Sequence, residues 1–316
     1  MLSLTSSTVL AVLRGIMSRH GITHSEMLPS AGTAERDSLV QAVTRFFGLS
    51  DGALLSPTSI TLEEWAVALS EQGDFPYLRL FDPAIGGAFS HQLQRQHRYE
   101  AAFLQQEAIA LQTLLTVDTQ PQRSLVSWLS KQTAPGFVLG ALLPQQAGWQ
   151  PRSLFDHANA LWELKAGDIM VTSEDRWRQL AQRLPSLPMS ITAVSTAPLD
   201  KKTYRALLAK GVAHIIELHC QPGLGVLAAR RSQNAPFELL PHWHPTESDN
   251  FLLKLIKGGV PEEVKLAQPL RWVGARHFRP QENAWAETVR VDRAALRVAP
   301  AWQPVAERHQ QGSSAA

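Results

Sequence analysis

The chain of 316 residues is 44% hydrophobic and 18% charged, which is enough apolar material for the core of one large domain or two modest ones. Thirty Lys and Arg residues stand against 28 acidic residues, and the formal net charge of +2 offers no basic surface that would favour a nucleic-acid partner. The single cysteine excludes an internal disulfide and fits a reducing compartment, so we expect a cytoplasmic protein.

The first 21 residues are partly apolar but do not have the pattern of a targeting segment. No positive charge precedes the apolar stretch, and Arg14 interrupts it, whereas a signal peptide has a basic start and an unbroken apolar run. No segment reaches the roughly 18 to 20 apolar residues that a membrane-spanning helix requires. The sequence therefore predicts neither a signal peptide nor a membrane partner.

Three helices are predicted in the first 115 residues. Residues 34–47 repeat apolar side chains at helical spacing, and Gly48 follows them where a helix would end. Thr61 and Glu64 form the capping-box pattern that begins a second helix. A longer helix is predicted over residues 92–115, where apolar residues recur every three to four positions.

From residue 124 onward, short apolar runs alternate with amphipathic segments, which is the pattern of an α/β protein. Buried strands are predicted at SLVSWL (124–129), DIMVTS (168–173), SITAVST (190–196) and AHIIEL (213–218). Right-handed crossovers make such strands parallel and gather the loops at their carboxyl ends on one edge of the sheet, where a ligand site is expected. After residue 225, shorter apolar pieces predict a smaller, mainly antiparallel β part.

These elements predict four consecutive regions. They are a helical N-terminal region (1–75), an α/β core (76–225), a mainly β part (226–300) and a polar tail (301–316) that we expect to be disordered.

In the order of their predicted elements and in their local sequence motifs, residues 38–280 resemble the large N-terminal domain of adenylate-forming enzymes. The resemblance is to 4-coumarate-CoA-ligase-like members of the acyl/aryl-CoA synthetase (AMP-binding) superfamily from bacterial natural-product clusters. It is carried by the segments DSLVQAVTRFFGL, TLEEWAVAL, QQEAIALQTLL, GFVLGALLP, KAGDIMVTSEDRWRQLA, STAPLDKKTYRALLAKGVAHIIEL, PFELLPHW and LRWVGARHFRP. The resemblance implies a parallel sheet flanked by helices with a smaller β part, and a family that uses ATP and magnesium.

The nucleotide site of the family falls at residues 219–225, which we expect to form a turn. In the family an aromatic residue stacks on adenine, and a Thr-Glu pair beyond it holds the phosphate-bound magnesium. The resemblance places His219 at the aromatic position, Cys220 at the next glycine, Gly223 at the glutamate and Leu224 at the threonine. Magnesium requires oxygen ligands, and the side chains at 223 and 224 supply none.

The family's phosphate loop is a glycine-rich turn ending in Pro-Lys, whose amides and lysine hold phosphate oxygens. The corresponding residues 81–89 read FDPAIGGAF. Gly86 and Gly87 remain, but the lysine is absent, Pro83 lacks an amide hydrogen and Asp82 adds a charge that we expect to repel phosphate. The resemblance therefore implies a degenerate phosphate loop.

Other family positions are also altered. The ribose-binding aspartate falls at Ala267 or Gln268, the hinge arginine falls within residues 281–283, and residues 285–316 are far shorter than the mobile domain that carries the catalytic lysine. We therefore expect that domain to be missing, and no ATP or magnesium to be used as a cofactor. Together these changes remove several sources of transition-state charge stabilisation, which predicts a protein unable to adenylate.

The acyl group of the family is expected to lie near the ends of the central strands. The candidate acyl-pocket residues are Gly136, Phe137, Ala197, Pro198 and Trp243. Several are apolar, as a pocket at that edge of an α/β sheet would require.

Two other groups of residues are candidates for a metal site and for a catalytic nucleophile, and each also has a simpler structural interpretation. The histidines of PHWHPTESD, with His214, His219, Cys220 and His277 as residues that the fold could bring near them, match no zinc spacing, so no metal site is predicted. Cys220 with His219 or His242 as base is a candidate nucleophile, but a buried inert thiol is favoured because adjacent strand residues face opposite sides. Glu217, within a predicted strand, is expected to make a buried hydrogen bond.

The sequence therefore favours a degenerate acyl/aryl-CoA synthetase-like protein, a pseudoenzyme with no assigned catalytic residues. The resemblance implies an accessory role in polyketide or aryl polyene-type biosynthesis, with an acyl or aryl group, an acyl carrier protein or a biosynthetic enzyme as partner. A homodimer is a further option, because loss of the C-terminal domain should expose apolar surface. Two alternatives stay open: an active acid-CoA or acid-carrier-protein ligase completed by a partner, and a Cys/His- or metal-dependent acyl-transfer enzyme on the same scaffold.

Overall fold

The computed structural model describes residues 1–22, 26–50, 55, 58–82, 95–116, 124–156, 158–188 and 190–280. The chain divides into a compact unit, Met1–Gln281, and a second unit, Glu282–Ala316, which lies outside the described residues. The predicted disordered tail, Gly86 and Gly87 also lie outside them.

The helices of the described residues are α1 (Ser6–Arg19), α2 (Ala34–Phe47), α3 (Leu62–Glu71), α4 (Ala101–Leu115), α5 (Ala134–Phe137), α6 (Leu143–Ala147), α7 (Glu174–Arg183) and α8 (Lys201–Ala209). A π-helical segment, Val138–Leu142, joins α5 to α6, and Ala158–Leu161 form a 3-10 turn. The strands are β1 (Tyr77–Phe81), β2 (Gln96–Glu100), β3 (Ser124–Ser127), β4 (Gln150–Ser153), β5 (Ile169–Thr172), β6 (Ile191–Ser195), β7 (Val212–Gln221), β8 (Gly225–Arg230), β9 (Phe237–Leu239), β10 (Trp243–Pro245), β11 (Phe251–Lys254), β12 (Glu262–Lys265), β13 (Arg271–Trp272) and β14 (His277–Arg279).

Capping chemistry fixes the ends of the two predicted N-terminal helices, which are confirmed. Gly48 ends α2 in the left-handed region at φ 64, where glycine has no steric cost. At the start of α3, Thr61 Oγ1 accepts the N–H of Glu64 at 3.3 Å, and Glu64 Oε2 accepts the N–H of Thr61 at 3.5 Å. This is the reciprocal capping box that the sequence predicts.

A nine-stranded sheet in the order β13-β14-β9-β8-β7-β6-β5-β3-β4 organises the protein. Strands β4, β3, β5, β6 and β7 are parallel, as the alternating pattern predicts. From β7 onward the pairing is antiparallel through β8, β9, β14 and β13. The predicted antiparallel part is therefore divided: some of its strands extend the main sheet, and β10, β11 and β12 form a separate three-stranded sheet.

The long helix predicted over residues 92–115 is wrong at residues 96–100, and residues 92–94 lie outside the described residues. Residues 96–100 form strand β2, which pairs antiparallel with β1, and the helix begins only at Ala101. Tyr99 lies opposite Leu78 in this pairing, and both side chains are buried. The apolar spacing that we assigned to a helix therefore belongs partly to a strand that alternates between a buried and an exposed face.

Strand β4 was not predicted from the sequence. Its residues, QPRS, are polar and include Pro151, because β4 is the edge strand beside β3 and proline is tolerated at sheet edges.

The sheet separates two hydrophobic clusters. The larger one joins the N-terminal helices, α4 to α6 and one face of the sheet, and contains Trp65, Phe137 and Trp243. The smaller one packs α7 and α8 against the other face around Trp177, whose indole N–H donates to Val194 O at 2.9 Å. Among the described residues, the helices are all too short or too polar to cross a bilayer.

Candidate functional site

The candidate site lies where β7 ends and the chain turns back into β8. Strand β7 is ten residues long and includes His219, Cys220 and Gln221. The prediction that the turn begins at residue 219 is therefore wrong: the reversal is made between Gln221 and Gly225, whose backbones pair across the hairpin. Leu224 N–H donates to Gln221 O at 3.1 Å, and Gly223 adopts φ 73, a conformation that favours glycine.

Asp82 connects the start of the predicted phosphate loop to this turn. Its Oδ1 accepts the backbone N–H of Gly223 at 2.8 Å, and its Oδ2 lies 3.0 Å from Nε2 of His97. The imidazole of His97 also covers the turn, since a Cβ at position 223 would lie 2.9 Å from its Nδ1. The charge that we expected to repel phosphate is thus held by a backbone amide and a histidine.

His219 is a buried residue of the sheet. Its ring centroid lies 5.6 Å from that of Phe237 and 5.1 Å from that of Phe278. Burial, together with the charge of Arg230, lowers the pKa of His219 to about 4, because a charged imidazole loses its hydration there. His219 is therefore neutral at physiological pH and packs against the aromatic rings of Phe237 and Phe278.

Gln221 brings the segment that aligns with the ribose anchor next to β7. Its Oε1 accepts the N–H of Ala267 at 3.0 Å, and its Nε2 donates to Gln268 O at 3.2 Å. The structure thus gathers the positions that the sequence assigned to adenine, ribose and phosphate, and links them through hydrogen bonds within the chain.

Comparisons with known proteins give relatives of the chain in sequence and in fold. The chain is similar to a curated 4-coumarate--CoA ligase of Rhodobacter capsulatus, with 30% identity over 146 residues, 45% of this chain and 36% of that protein. It is also similar to a 4-coumarate--CoA ligase of Cereibacter sphaeroides, with 26% identity over 211 residues, 65% of this chain and 51% of that protein. The chain thus spans between about a third and a half of the length of the curated relatives that it matches, and no family model matches it.

Solved structures show the same fold. An acyl-CoA synthetase (AMP-forming)/AMP-acid ligase II-like protein from Dyadobacter fermentans matches with a TM-score of 0.51 and 11% identity, over 68% of this chain and 62% of that one. Wild-type MenE of E. coli matches with a TM-score of 0.50 and 12% identity, over 88% of this chain and 73% of that one. The chain therefore has the fold of the adenylate-forming acyl-CoA synthetases and is similar in sequence to two of their ligases. Its sheet and helices are those of the N-terminal domain of these acyl-CoA synthetases.

Two further residues of the β7–β8 hairpin, Cys220 and Leu224, are also part of the hydrophobic core. Cys220 is buried, and burial together with the nearby Glu107 raises the pKa of its thiol. Leu224 is 9% exposed and belongs to the larger hydrophobic cluster. A buried, protonated thiol is a poor nucleophile, which weighs against the acyl-transfer alternative.

Three of the acyl-pocket candidates are packed tightly in this adenylate-forming fold. A Cβ on Gly136 would overlap the carbonyl oxygen of Ser130, so only glycine fits there. Phe137 is fully buried with its ring centroid 6.2 Å from that of Phe46. Trp243 is fully buried and donates its indole N–H to Val226 O at 3.1 Å.

Ala197 and Pro198 differ from those three, because both are half-buried in the loop after β6. Ser195 Oγ donates to Ala197 O at 2.6 Å and fixes the start of this loop. These two residues are the acyl-pocket candidates that keep an accessible surface.

Glu217 makes the buried contacts that the sequence predicts. Its Oε1 accepts the N–H of Leu199 at 2.6 Å, and its Oε2 accepts Nε–H of Arg230 at 2.5 Å. The side chain of Glu217 is 1% exposed. The paired carboxylate joins β7, β8 and the loop before α8, which is a structural role.

A second buried acid, Glu107 of α4, was missed by sequence reasoning. It packs against Gly225, where a Cβ would overlap Oε2, and within the described part of the chain neither carboxylate oxygen has a hydrogen-bond partner. Burial raises the pKa of Glu107 to about 8, and the N–H of Val226 offsets part of this rise without reaching hydrogen-bond geometry. The signal for this residue was available: Glu107 interrupts the apolar face formed by Leu104 and Leu111.

The site offers no metal cage in the part of the chain that the structure describes. No three His, Cys, Asp or Glu side chains are grouped there in a way that could hold a metal ion.

Proposed function

We propose that this chain is an AMP-ligase-like protein that does not adenylate and that serves as an accessory protein in polyketide or aryl polyene-type biosynthesis. Its proposed partners are an acyl or aryl group, an acyl carrier protein or a biosynthetic enzyme. The observation that carries the proposal is the hydrogen bond between Asp82 Oδ1 and the backbone N–H of Gly223. It places a carboxylate against the turn that would have to receive a nucleotide.

The residues at this turn do not fit a magnesium-bound nucleotide. Magnesium prefers oxygen ligands in near-octahedral geometry, and Gly223 and Leu224 bring no side-chain oxygen to the turn. The carboxylate of Asp82 is already bonded to Gly223 and lies beside His97. A triphosphate approaching the same amide would meet this negative charge, which disfavours its binding.

The positions for adenine and ribose are occupied by the protein's own contacts. His219 is 2% exposed and packs against Phe237 and Phe278, so a base could stack on its imidazole only if the surrounding side chains moved. Gln221 uses both ends of its amide on residues 267–268. Binding a nucleotide would therefore break packing and hydrogen bonds before making new ones, which costs free energy.

The proposed binding function rests on the loop after β6. Ala197 and Pro198 remain half-buried there, at the edge where α/β sheets bind ligands. Two relatives of the chain are named 4-coumarate--CoA ligases, so an aryl acid is the natural first probe. A carrier protein that presents such a group is the corresponding macromolecular partner.

Calorimetry on the whole chain tests the proposal. Mg-ATP and 4-coumarate are titrated separately, and circular dichroism checks that the protein is folded. We expect no saturable heat with Mg-ATP and a saturable response with 4-coumarate. A dissociation constant for Mg-ATP of about 100 μM or tighter contradicts the loss of nucleotide binding and favours a ligase that a partner completes.

A further inference from the structure

A polar groove lies between α2 and β1, outside the candidate nucleotide-derived site. It has a volume of about 460 Å³ and is lined by residues that include Gln41, Thr44, Arg45, Gly48, Tyr77 and Arg79. This volume is within the roughly 300 to 1,000 Å³ that small-ligand sites occupy. The groove is therefore large enough to hold a small molecule.

The groove is rich in arginine and poor in compensating acid. Arg45 and Arg79 line it, and Arg98 lies directly opposite Arg79 in the β1–β2 pair. None of the three is joined by an ion pair to an acidic side chain of the described residues. Glu100, opposite Tyr77, is the single acidic residue in the sequence of these two strands.

The pairing of Arg79 with Arg98 lowers the stability of the fold when no anion is bound. Like charges placed directly opposite on neighbouring strands repel each other, and both side chains are exposed. Alternation sends them to the face opposite Leu80 and His97. An anion bound in the groove beside Arg79 would reduce this repulsion.

Tyr77 gives the groove an aromatic wall in a fixed position. The guanidinium carbon of Arg98 lies 4.0 Å from the centre of the Tyr77 ring, a cation–π distance. The ring also packs against Gly48. A Cβ added to Gly48 would lie 2.5 Å from Cε2 of Tyr77, which is closer than real Cβ atoms approach. Thr44 adds a hydroxyl oxygen that is buried and without a hydrogen-bond partner in the part of the chain described here.

We propose that this groove binds a small molecule carrying a phosphate monoester or pyrophosphate group. The planar guanidinium groups of Arg45 and Arg79, which line the groove, match phosphate oxygens in paired hydrogen bonds, and Arg98, stacked on Tyr77 opposite Arg79, adds a further positive charge. The inference does not depend on the proposed function, because the groove and the β7–β8 turn share no residue.

Calorimetry with inorganic pyrophosphate as the probe tests this site. The wild-type chain is compared with R79Q and R98Q, whose side chains are exposed, and with R205Q, a matched control on the exposed side of α8. We expect saturable binding that weakens at least about tenfold in R79Q and R98Q and is unchanged in R205Q. Thermal melting checks that each variant is folded.

Two results overturn the proposal. One is the absence of saturable heat with the wild-type chain, or an equal weakening in all three variants, which indicates non-specific charge attraction. The other is binding that responds to D82A but not to R79Q, which places pyrophosphate at the β7–β8 turn. That second result also separates this groove from the nucleotide-derived site, since binding at the groove should be insensitive to D82A.

Discussion

Gly223 donates its backbone N–H to Oδ1 of Asp82 over 2.8 Å, although the two residues are 141 positions apart in the chain. The contact joins the first residue after β1 to the turn between β7 and β8. Here an internal carboxylate bonds to the amide at the tip of that turn.

Removing this carboxylate should destabilise the protein. In D82A the N–H of Gly223 loses its acceptor, and we expect the free energy of unfolding to fall by about 1 to 2 kcal/mol. D82N keeps an acceptor oxygen and should lose less. Urea unfolding at constant pH measures both variants; equal losses in D82A and D82N would contradict the assigned hydrogen bond.

Glu107 should make the protein less stable as the pH rises. Its pKa in the folded state is raised to about 8 from an ordinary value of 4.5, so its contribution is fully present below about pH 4.5 and is lost as the pH rises through 8. The loss can reach about 4 to 5 kcal/mol at 1.36 kcal/mol per pH unit.

The variant E107Q isolates this effect because glutamine has the same shape and does not titrate. Unfolding is measured for both proteins from pH 5 to pH 8.5, and the difference is taken at each pH. We expect E107Q to gain stability relative to the wild type as the pH rises. A constant difference across this range would show that Glu107 ionises at its ordinary pKa.

The contribution of His219 to stability should depend on pH in the opposite direction to that of Glu107. Its pKa is lowered to about 4, so its contribution is present above about pH 6.5 and is lost as the pH falls toward 4, by up to about 3 kcal/mol. H219F removes the titrating group and keeps a ring against Phe237 and Phe278. The stability difference between H219F and the wild type should grow between pH 6.5 and 4.5, whereas H214Q, at an exposed position, should track the wild type.

The helix after Thr133 allows no side chain at Gly136. A Cβ there would overlap Ser130 O, so G136A should cost about 2 kcal/mol or more in unfolding free energy. G15A is the matched control: Gly15 lies within α1, and its nearest atom to an added Cβ is 3.9 Å away. G15A should be neutral or more stable by up to about 1 kcal/mol; similar losses in both variants would refute the packing argument.

Local patterns in the sequence predicted those parts of the fold that local interactions determine. The capping box of Thr61 and Glu64 lies within four residues. The parallel strands β3, β5 and β6 each carry a short apolar stretch, because hydrophobic clusters cover both faces of the sheet. The strand β2 was mistaken for helix because Tyr99 is buried by pairing with Leu78, a partner that spacing does not reveal.

The candidate site depended on contacts that no local pattern predicts. The resemblance placed His219 and Gly223 at the nucleotide position, but β7 extends past its predicted end because Gln221 finds hydrogen bonds at Ala267 and Gln268. Likewise, the sequence presented Asp82 as a repulsive charge, and only the fold brings it to Gly223. The sequence allowed a chemical role to be assigned to single positions, whereas the residues that each position contacts are determined by the tertiary structure.

Loss of adenylation can be measured by the exchange of labelled pyrophosphate into ATP with the whole chain, magnesium and 4-coumarate. Any adenylate formed at the site must reverse and incorporate label. We expect no exchange above that of a reaction without the acid, because Asp82 Oδ1 accepts the N–H of Gly223 and Gly223 and Leu224 offer no side-chain oxygen to magnesium. Exchange that depends on 4-coumarate and disappears without magnesium would contradict the loss of adenylation.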